Sequence, residues 1–341
     1  MTLPKRRVGR TKLEVTTLGL GGAPMGGFRA TISNAKATAL TNAAYDGGVR
    51  YFDTSPFYGY GRSELRMGAA LREKPRDAFV LSTKIGRVMH VMRPGEPKPA
   101  DFREHGLPGF APVFDYTYDG VMRSLEHSHL RLGLAKIDIA LVHDVDFWTI
   151  QDRDILDQRF KTVMDSGFRA LDELRKAGII SAIGVGINEA DTSLRFIQAG
   201  DFDCMLLAGR YTLLEQGALE AFLPECVTRG VSVILGGPYN SGILASGVTE
   251  TATHDYVQAP APLIDKARKI EAICGRHGVE LGAAALQFPL HHPALCSVIP
   301  GALGVDEVKQ NVARLSATIP AELWSELKHE RLLDPAAPTP N

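Results

Sequence analysis

Short, largely apolar runs alternate with stretches of helical period along nearly the whole chain. Eight runs read as strands: Leu18 to Gly21, Arg50 to Asp53, Phe79 to Thr83, Ile137 to His143, Ala182 to Val185, Phe202 to Leu207, Val231 to Leu235 and Cys296 to Ile299. Between them apolar residues recur every three or four positions, as at Phe168, Leu171, Leu174 and Arg175 before Gly178, or Leu263, Ala267, Ile270 and Cys274 before Gly278. Each glycine stands where a helix C-cap belongs. Ahead of this alternation, Arg6 to Val8, a turn at Gly9-Arg10-Thr11, and Leu13 to Val15 predict a β-hairpin.

Strands apolar on both faces and separated by helices imply a parallel sheet, and eight repeats are the number that closes a barrel. The predicted fold is therefore α/β, a (β/α)8 TIM barrel with an N-terminal β-hairpin. An open doubly wound sheet binding a dinucleotide would carry G-x-G-x-x-G after its first strand; here Gly19-Leu20-Gly21-Gly22-Ala23 runs into Pro24. Residues 1–333 read as one domain, and the tail 334–341, DPAAPTPN, as disordered.

Three connections exceed ordinary loop length: Gly86 to Asp115, Asp144 to Arg159 and Ser246 to Pro260. All follow strands, so in a barrel they rise from the C-terminal face, where active sites sit. The first carries Pro94, Pro97, Pro99, Pro108 and Pro112, too many for a regular element, and reads as a substrate lid or a surface insertion.

With 341 residues, 45% of them hydrophobic, the chain has material for one large core. A net charge of −1 leaves no broad field for nucleic acid or an anionic membrane face, which directs the search to a small-molecule substrate. Cys204, Cys226, Cys274 and Cys296 lack metal-ligand or C-x-x-C spacing and read as reduced core residues. The start MTLPKRRVGRTKLEV has no apolar signal region, and no apolar run approaches the roughly 20 residues a membrane span needs, so the expected location is cytoplasmic.

Four polar residues fall at the ends of the second, third and fourth strands: Asp53 with Tyr58, then Lys84, then His143. Singly, each has an ordinary explanation: a turn cap, packing beside Phe57 and Tyr60, a solvated lysine, a satisfied core histidine. Together they suit proton transfer. A phenol titrates near about pH 10; an adjacent ammonium favours phenolate, a carboxylate fixes the ammonium, and a histidine opposite can hold a substrate oxygen. His143 followed by Asp144 and Asp146 raises a metal, but no matching ligand stands at a neighbouring strand end, and none is expected.

RRVGRTKLEVTTLGLGG, RYFDTSPFYGYGRSE, LSTKIGR, RLGLAKIDIALVHD and IPGALGVDEVKQN together resemble the aldo-keto reductases from Val8 to about Leu333. The resemblance implies a barrel that binds NAD(P) in extended form without a Rossmann unit, with Tyr58 as acid/base supported by Asp53, Lys84 and His143. AIGVGINE, DFDCMLLAGRYTLLEQ, PYNSGILASG and AAALQFPLHHP are similar to the branch of D-threo-aldose 1-dehydrogenase (L-fucose dehydrogenase) and pyridoxal 4-dehydrogenase. Both substrate types exist largely as cyclic hemiacetals, whose oxidation gives a lactone directly.

The resemblance assigns the cofactor groove to Gly21, Gly22, Asp53, Asn188, Pro238, Asn240, Ser241, Gly242, Gly301, Glu307, Gln310 and Asn311. In it, residues from Pro238 to Ile243 wrap the pyrophosphate, and Gln310 and Asn311 contact adenine. Asn188 stands one place beyond the family's usual asparagine. Ala208 takes the place of a glutamine, and Gly236 that of the aromatic stacked on nicotinamide, for which Tyr239 is the expected substitute. Where many NADP-dependent members have a lysine and an arginine, this chain has Gly301 and Glu307; a carboxylate there repels a 2′-phosphate, so NAD is the expected cofactor, with NADP the alternative.

Phe57, Tyr58, His143, Trp148 and Tyr239 are the expected substrate contacts. The leading expected activity is aldose oxidation, with pyridoxal oxidation as runner-up. General carbonyl reduction with NADPH, and a nicotinamide-binding regulatory subunit without turnover, are the alternatives from other classes.

Overall fold

In the computed structural model, which describes residues 2–27, 30–96, 109–249 and 251–340, all eight runs are parallel strands of one sheet. In chain order the strands are β1 (Lys5–Arg7), β2 (Glu14–Thr16), β3 (Leu20–Gly21), β4 (Tyr51–Asp53), β5 (Val80–Ile85), β6 (Arg87–Val91), β7 (Phe110–Phe114), β8 (Ile139–His143), β9 (Ala182–Ile187), β10 (Cys204–Ala208), β11 (Ser232–Gly236), β12 (Thr253–His254), β13 (Val257–Gln258) and β14 (Leu295–Ile299). The sheet runs β14-β11-β10-β9-β8-β5-β4-β3.

Parallel bridges between Leu18 and Val298 and between Gly21 and Gly301 bring the last strand back to the first. Glycine is what permits this seam. A Cβ on Gly19 would stand 2.7 Å from the Ile299 side chain, and one on Gly21 would stand 2.8 Å from the Ile299 carbonyl oxygen.

Successive residues of each strand face opposite ways, which explains the runs' two-sided apolarity. Tyr51, Ile139, Leu141, Cys204, Leu206, Ile234 and Cys296 form the barrel interior, floored by Val8 and Val15 of the predicted hairpin, here β1 and β2. Phe52, Ala140, Val142, Met205 and Leu207 instead face the helices. The helices Phe168–Lys176 and Ala261–Arg276 occupy the predicted stretches, with Gly178 and Gly278 at φ 73° and 65° just beyond their ends. All four cysteines are buried and unpaired, as expected.

Three expectations change. The ends of the first long connection are not irregular: β6 and β7 pair antiparallel, with Pro112 opposite Met89. A two-stranded ribbon has a free edge where proline's missing N–H leaves no ladder bond unmade. Pro97, Pro99 and Pro108 lie outside the described residues. The second connection folds as two helices, Phe147–Ile150 and Arg153–Thr162, capped by Asp146 (2.9 Å to the Thr149 N–H) and Asp152 (3.0 Å to the Ile155 N–H). The tail is not structureless from Asp334: that residue accepts the Ala336 N–H at 2.8 Å in a turn that buries Ala337. Among the described residues, no helix is long and apolar enough to cross a membrane.

Candidate active site

Adjacent strand ends bring three of the four expected residues to one rim, and the loop after β4 brings the fourth. Lys84 Nζ on β5 lies 2.6 and 2.7 Å from the carboxylate oxygens of Asp53 on β4 and donates to the Thr54 carbonyl at 3.0 Å. Ser82 donates to Asp53 Oδ1 at 2.6 Å and meets the Tyr51 hydroxyl at 3.0 Å. Asp53 and Lys84 are both buried, so this ion pair is shielded from water and held by several hydrogen bonds.

Tyr58 stands on the turn between β4 and the helix Arg62–Leu71. Two glycines let that turn press against the loop after β3: a Cβ on Gly26 would be 2.4 Å from the Tyr58 carbonyl carbon, and one on Gly59 would be 2.1 Å from the Gly26 oxygen. Lys84 Nζ sits 5.5 Å from the centre of the Tyr58 ring, and the His143 ring meets Tyr58 edge to face at 5.8 Å.

The electrostatics differ from the sequence expectation. Burial, with Asp53 and Asp144 adding to it, pushes the Tyr58 phenol well above the ordinary range, and only Arg87 opposes them to a notable degree. Lys84 does not reverse this, because its charge is matched by Asp53 at contact distance. The phenol is therefore held protonated, poised as an acid.

Burial, then Arg87 and Lys84, keep the His143 imidazole well below its usual pKa, so the ring is neutral. Its tautomer follows from the hydrogen-bond pattern. Ser55 Oγ accepts the Phe57 N–H at 3.0 Å, which leaves its own proton for His143 Nδ1 at 3.2 Å. Nε2 then carries the ring proton and faces Asp144 Oδ2 at 3.4 Å. The Tyr116 hydroxyl fixes the same residue by donating to the His143 carbonyl at 2.8 Å.

Tyr58, Lys84 and His143 line a cavity of about 330 Å³ with Phe57, Trp148 and Asn188. Its remaining walls include Gly186, Ile187, Leu206 and Ala208 from the neighbouring strand ends, and Arg87, Asp144 and Tyr256 from the long connections. Glu189 secures the Trp148 segment by accepting the Phe147 and Trp148 N–H groups, each at 2.9 Å. Asp146 does the same for Asn188, accepting its side-chain amide at 3.0 Å.

Tyr239 is not among the lining residues. Its hydroxyl donates to Asn311 Oδ1 at 2.6 Å and receives Arg314 Nη1 at 3.3 Å, which turns the ring to the helix Val305–Leu315. Tyr256 does line the cavity, from the tip of β12–β13, where Asp255 and Tyr256 have φ of 48° and 67°. Arg210 ties this hairpin to the rim, reaching Asp255 Oδ2 at 2.7 Å and the Asn188 carbonyl at 2.9 Å. The paired left-handed residues give the tight turn that carries the half-exposed Tyr256 to the cavity edge, a signal hidden in sequence by the absence of glycine.

The expected cofactor positions divide. Gly21 serves the barrel seam and Gly22 packs against the next strand and helix, where a Cβ would stand 2.7 Å from Ser63 Oγ and 2.8 Å from the Asp53 carbonyl oxygen; neither lines the cavity. Ser241 accepts the Tyr256 N–H at 3.1 Å, and Asn240 donates to the Gly209 carbonyl at 3.1 Å. Gly301 is exposed beside Pro24, Glu307 accepts the Leu303 N–H at 2.9 Å, and Gln310 donates to Glu280 at 3.2 Å. Pro238 and Gly242 flank Asn240 and Ser241 in a turn whose residues 240 to 242 have φ of 42°, 62° and 103°.

The site nonetheless fits an extended dinucleotide. Beyond Ala208, a Cβ on Gly209 or Gly237 would meet nothing nearer than 3.5 Å, which leaves an open ledge from the cavity toward that turn. Beside it the buried Asn240 Oδ1 has no hydrogen-bond partner among the described residues.

Comparison with known proteins agrees with this architecture. The aldo/keto reductase family profile matches residues 17–330. The chain is 45% identical to pyridoxal 4-dehydrogenase of Microbacterium luteolum, over 96% of this chain and 98% of that protein. It is 38% identical to D-threo-aldose 1-dehydrogenase of a Pseudomonas species, over 96% of each. Among solved structures, the holo form of an aldo-keto reductase from Bacillus halodurans matches with a TM-score of 0.75 at 23% identity, covering 98% of both chains. The glycerol dehydrogenase of Gluconobacter oxydans also gives 0.75, at 20% identity, covering 99% of this chain and 97% of that one. The chain belongs to the aldo/keto reductase family of NAD(P)-dependent oxidoreductases.

Proposed function

We propose that this protein oxidises the cyclic hemiacetal of a small substrate to a lactone, with NAD as the preferred acceptor and pyridoxal favoured over an aldose. The observation that carries the reaction type is the convergence of Tyr58, the Asp53–Lys84 pair and neutral His143 on one cavity. When bound, the nicotinamide ring supplies the hydride acceptor. Gly186, Ala208 and Asn188 would hold that ring, and the turn from Pro238 through Asn240 and Ser241 to Gly242 would hold the pyrophosphate.

In the oxidative direction the hemiacetal C–H bond breaks with its electron pair leaving as hydride. Tyr58 first gives up its own proton to solvent, and the hydroxyl proton then passes to the phenolate oxygen as the C=O bond forms. His143 Nε2–H donates a hydrogen bond to the same oxygen and fixes its orientation. Asp53 and Lys84 position the tyrosine and keep the charge around it balanced.

The cavity walls favour a flat ring. Phe57, Trp148, Tyr256, Ile187 and Leu206 are apolar or aromatic, whereas Arg87 and Asp144 form a polar corner. An aldose would expose hydroxyls in several directions. The higher identity to pyridoxal 4-dehydrogenase supports the same order, with aldose oxidation as the second reading.

The test is a screen of NAD and NADP reduction with pyridoxal, L-fucose, D-arabinose and L-galactose at mildly alkaline pH. Rapid NADH formation with pyridoxal supports the proposal. Preference for an aldose moves it to the second reading, and no reduction with any of them overturns both.

A further inference from the structure

Arg87 follows Gly86 at the end of β5, only three residues beyond Lys84, and its guanidinium is almost wholly enclosed, at 2% exposure. It lies 3.7 Å over the Phe57 ring and 5.2 Å from the Phe114 ring. One nitrogen, Nη2, meets Asp144 Oδ2 at 2.8 Å. Nε and Nη1 are buried with no hydrogen-bond partner among the described residues. Folded proteins rarely leave buried charged donors unanswered, and those that do usually present them to a ligand or to water. Both Arg87 and Asp144 line the cavity.

Their position relative to His143 gives this pair a specific reach. Asp144 Oδ2 is 3.4 Å from His143 Nε2, the atom that faces the reacting oxygen under the function proposed above. Asp144 is fixed there by a left-handed backbone, φ 51°, and by its N–H donating to the Gly186 carbonyl at 3.0 Å. A substrate whose reacting oxygen sits between Tyr58 and His143 therefore presents its neighbouring oxygen, one or two atoms along the skeleton, to the Arg87–Asp144 corner.

We infer that Arg87 and Asp144 are specificity-determining residues that recognise the substrate oxygen neighbouring the hemiacetal hydroxyl. In an aldose that oxygen is the 2-hydroxyl, on the atom adjacent to the hemiacetal carbon; in pyridoxal it is the ring 3-oxygen, one atom further along. Asp144 accepts a hydroxyl proton; the unanswered guanidinium donors suit an oxygen that bears negative charge, which the pyridoxal phenolate does and a sugar hydroxyl does not. The inference rests on the hemiacetal reading but adds a contact that the reaction itself does not require.

The experiment compares matched substrates: pyridoxal with 3-deoxypyridoxal, and L-fucose with 2-deoxy-L-fucose. The wild-type protein is expected to prefer the oxygen-bearing member by about 10- to 100-fold in kcat/KM, the range for a hydrogen bond to a charged group. In Arg87→Met the ratio falls to about threefold or less, and in Arg87→Lys, which keeps the charge without the planar fork, it lies between. Comparing ratios between variants removes the intrinsic reactivity difference within each pair. Discrimination confined to pyridoxal assigns the corner to a phenolate, and discrimination confined to fucose assigns it to a hydroxyl; either supports the inference.

Two results overturn it alone: wild-type protein that treats the members of both pairs alike, or Arg87 variants that lose both members in equal proportion. If Arg87→Met fails to fold, the wild-type ratio and Arg87→Lys still decide. Absence of turnover with either parent substrate overturns the hemiacetal reading and this inference with it.

Discussion

Lys84 Nζ contacts both carboxylate oxygens of Asp53, at 2.6 and 2.7 Å, while standing 5.5 Å from the centre of the Tyr58 ring. The lysine thus belongs first to a buried ion pair and only second to the phenol. Removing one member would leave an uncompensated buried charge. Asp53→Asn is expected to lower unfolding free energy by about 3 to 5 kcal/mol, read from urea unfolding. The double variant Asp53→Asn/Lys84→Met should recover part of that loss, and a double variant less stable than the single would contradict the pairing.

The raised Tyr58 pKa sets the sign of the pH dependence. Oxidation needs the phenol to lose its proton before accepting one from substrate, so kcat/KM for NAD reduction should climb with pH and show no plateau below about pH 10, the ordinary phenol value. Reduction of an aldehyde uses the phenol already protonated and should stay level over the same range. Because His143 is held neutral, neither profile should bend near about pH 6.5. Steady-state rates from pH 6 to 10 check both directions, and an oxidation rate independent of pH would contradict the assignment.

Ser55 controls which nitrogen of His143 carries the proton, through the 3.2 Å contact to Nδ1. Ser55→Ala removes that donor and lets the ring proton move to Nδ1, away from substrate. The expected loss is about tenfold in kcat, comparable to one neutral hydrogen bond, with little change in cofactor affinity. Nitrogen NMR of the imidazole should report the tautomer change, and Ser55→Thr should restore both signals.

Cofactor choice tests the reading of Glu307. The carboxylate accepts the Leu303 N–H at the start of the helix Val305–Leu315, at 2.9 Å, so it holds the loop there. NAD should outperform NADP in the wild-type protein, and Glu307→Arg should raise relative NADP use by up to about fivefold, the usual size of a surface charge effect. A wild-type protein that already prefers NADP contradicts the assignment.

Much of this architecture was legible in the sequence because two-sided apolar strands and capped helices report directly on burial. All eight strands and the hairpin lie where the hydrophobic pattern puts them. Asp53, Lys84 and His143 were legible because barrel closure gathers strand ends whatever the loops do. The rest depended on tertiary contact. Tyr239 was expected at the substrate, but its hydroxyl has partners in Asn311 and Arg314 that are 72 and 75 residues away in sequence. Tyr256 reaches the cavity only because Arg210 and Asp255 pin its hairpin, a pairing that no local pattern announces. Arg87 stands in the sequence only as part of LSTKIGR, where nothing says that two of its donors are enclosed and without partners among the described residues. The direction of the Tyr58 shift is hidden from the sequence for a similar reason. Proximity of an ammonium was legible, whereas its neutralisation by Asp53 and the depth of burial were not.

The most direct measurement is Tyr58→Phe, assayed for NAD reduction with a hemiacetal substrate alongside a fluorescence titration of NADH binding. The expected result is a fall in kcat of about 10²- to 10⁴-fold, the range for loss of a general acid–base group, with NADH affinity within about threefold of wild type. Turnover within a few-fold of wild type would contradict the account, because the proton would then be moving without the phenol.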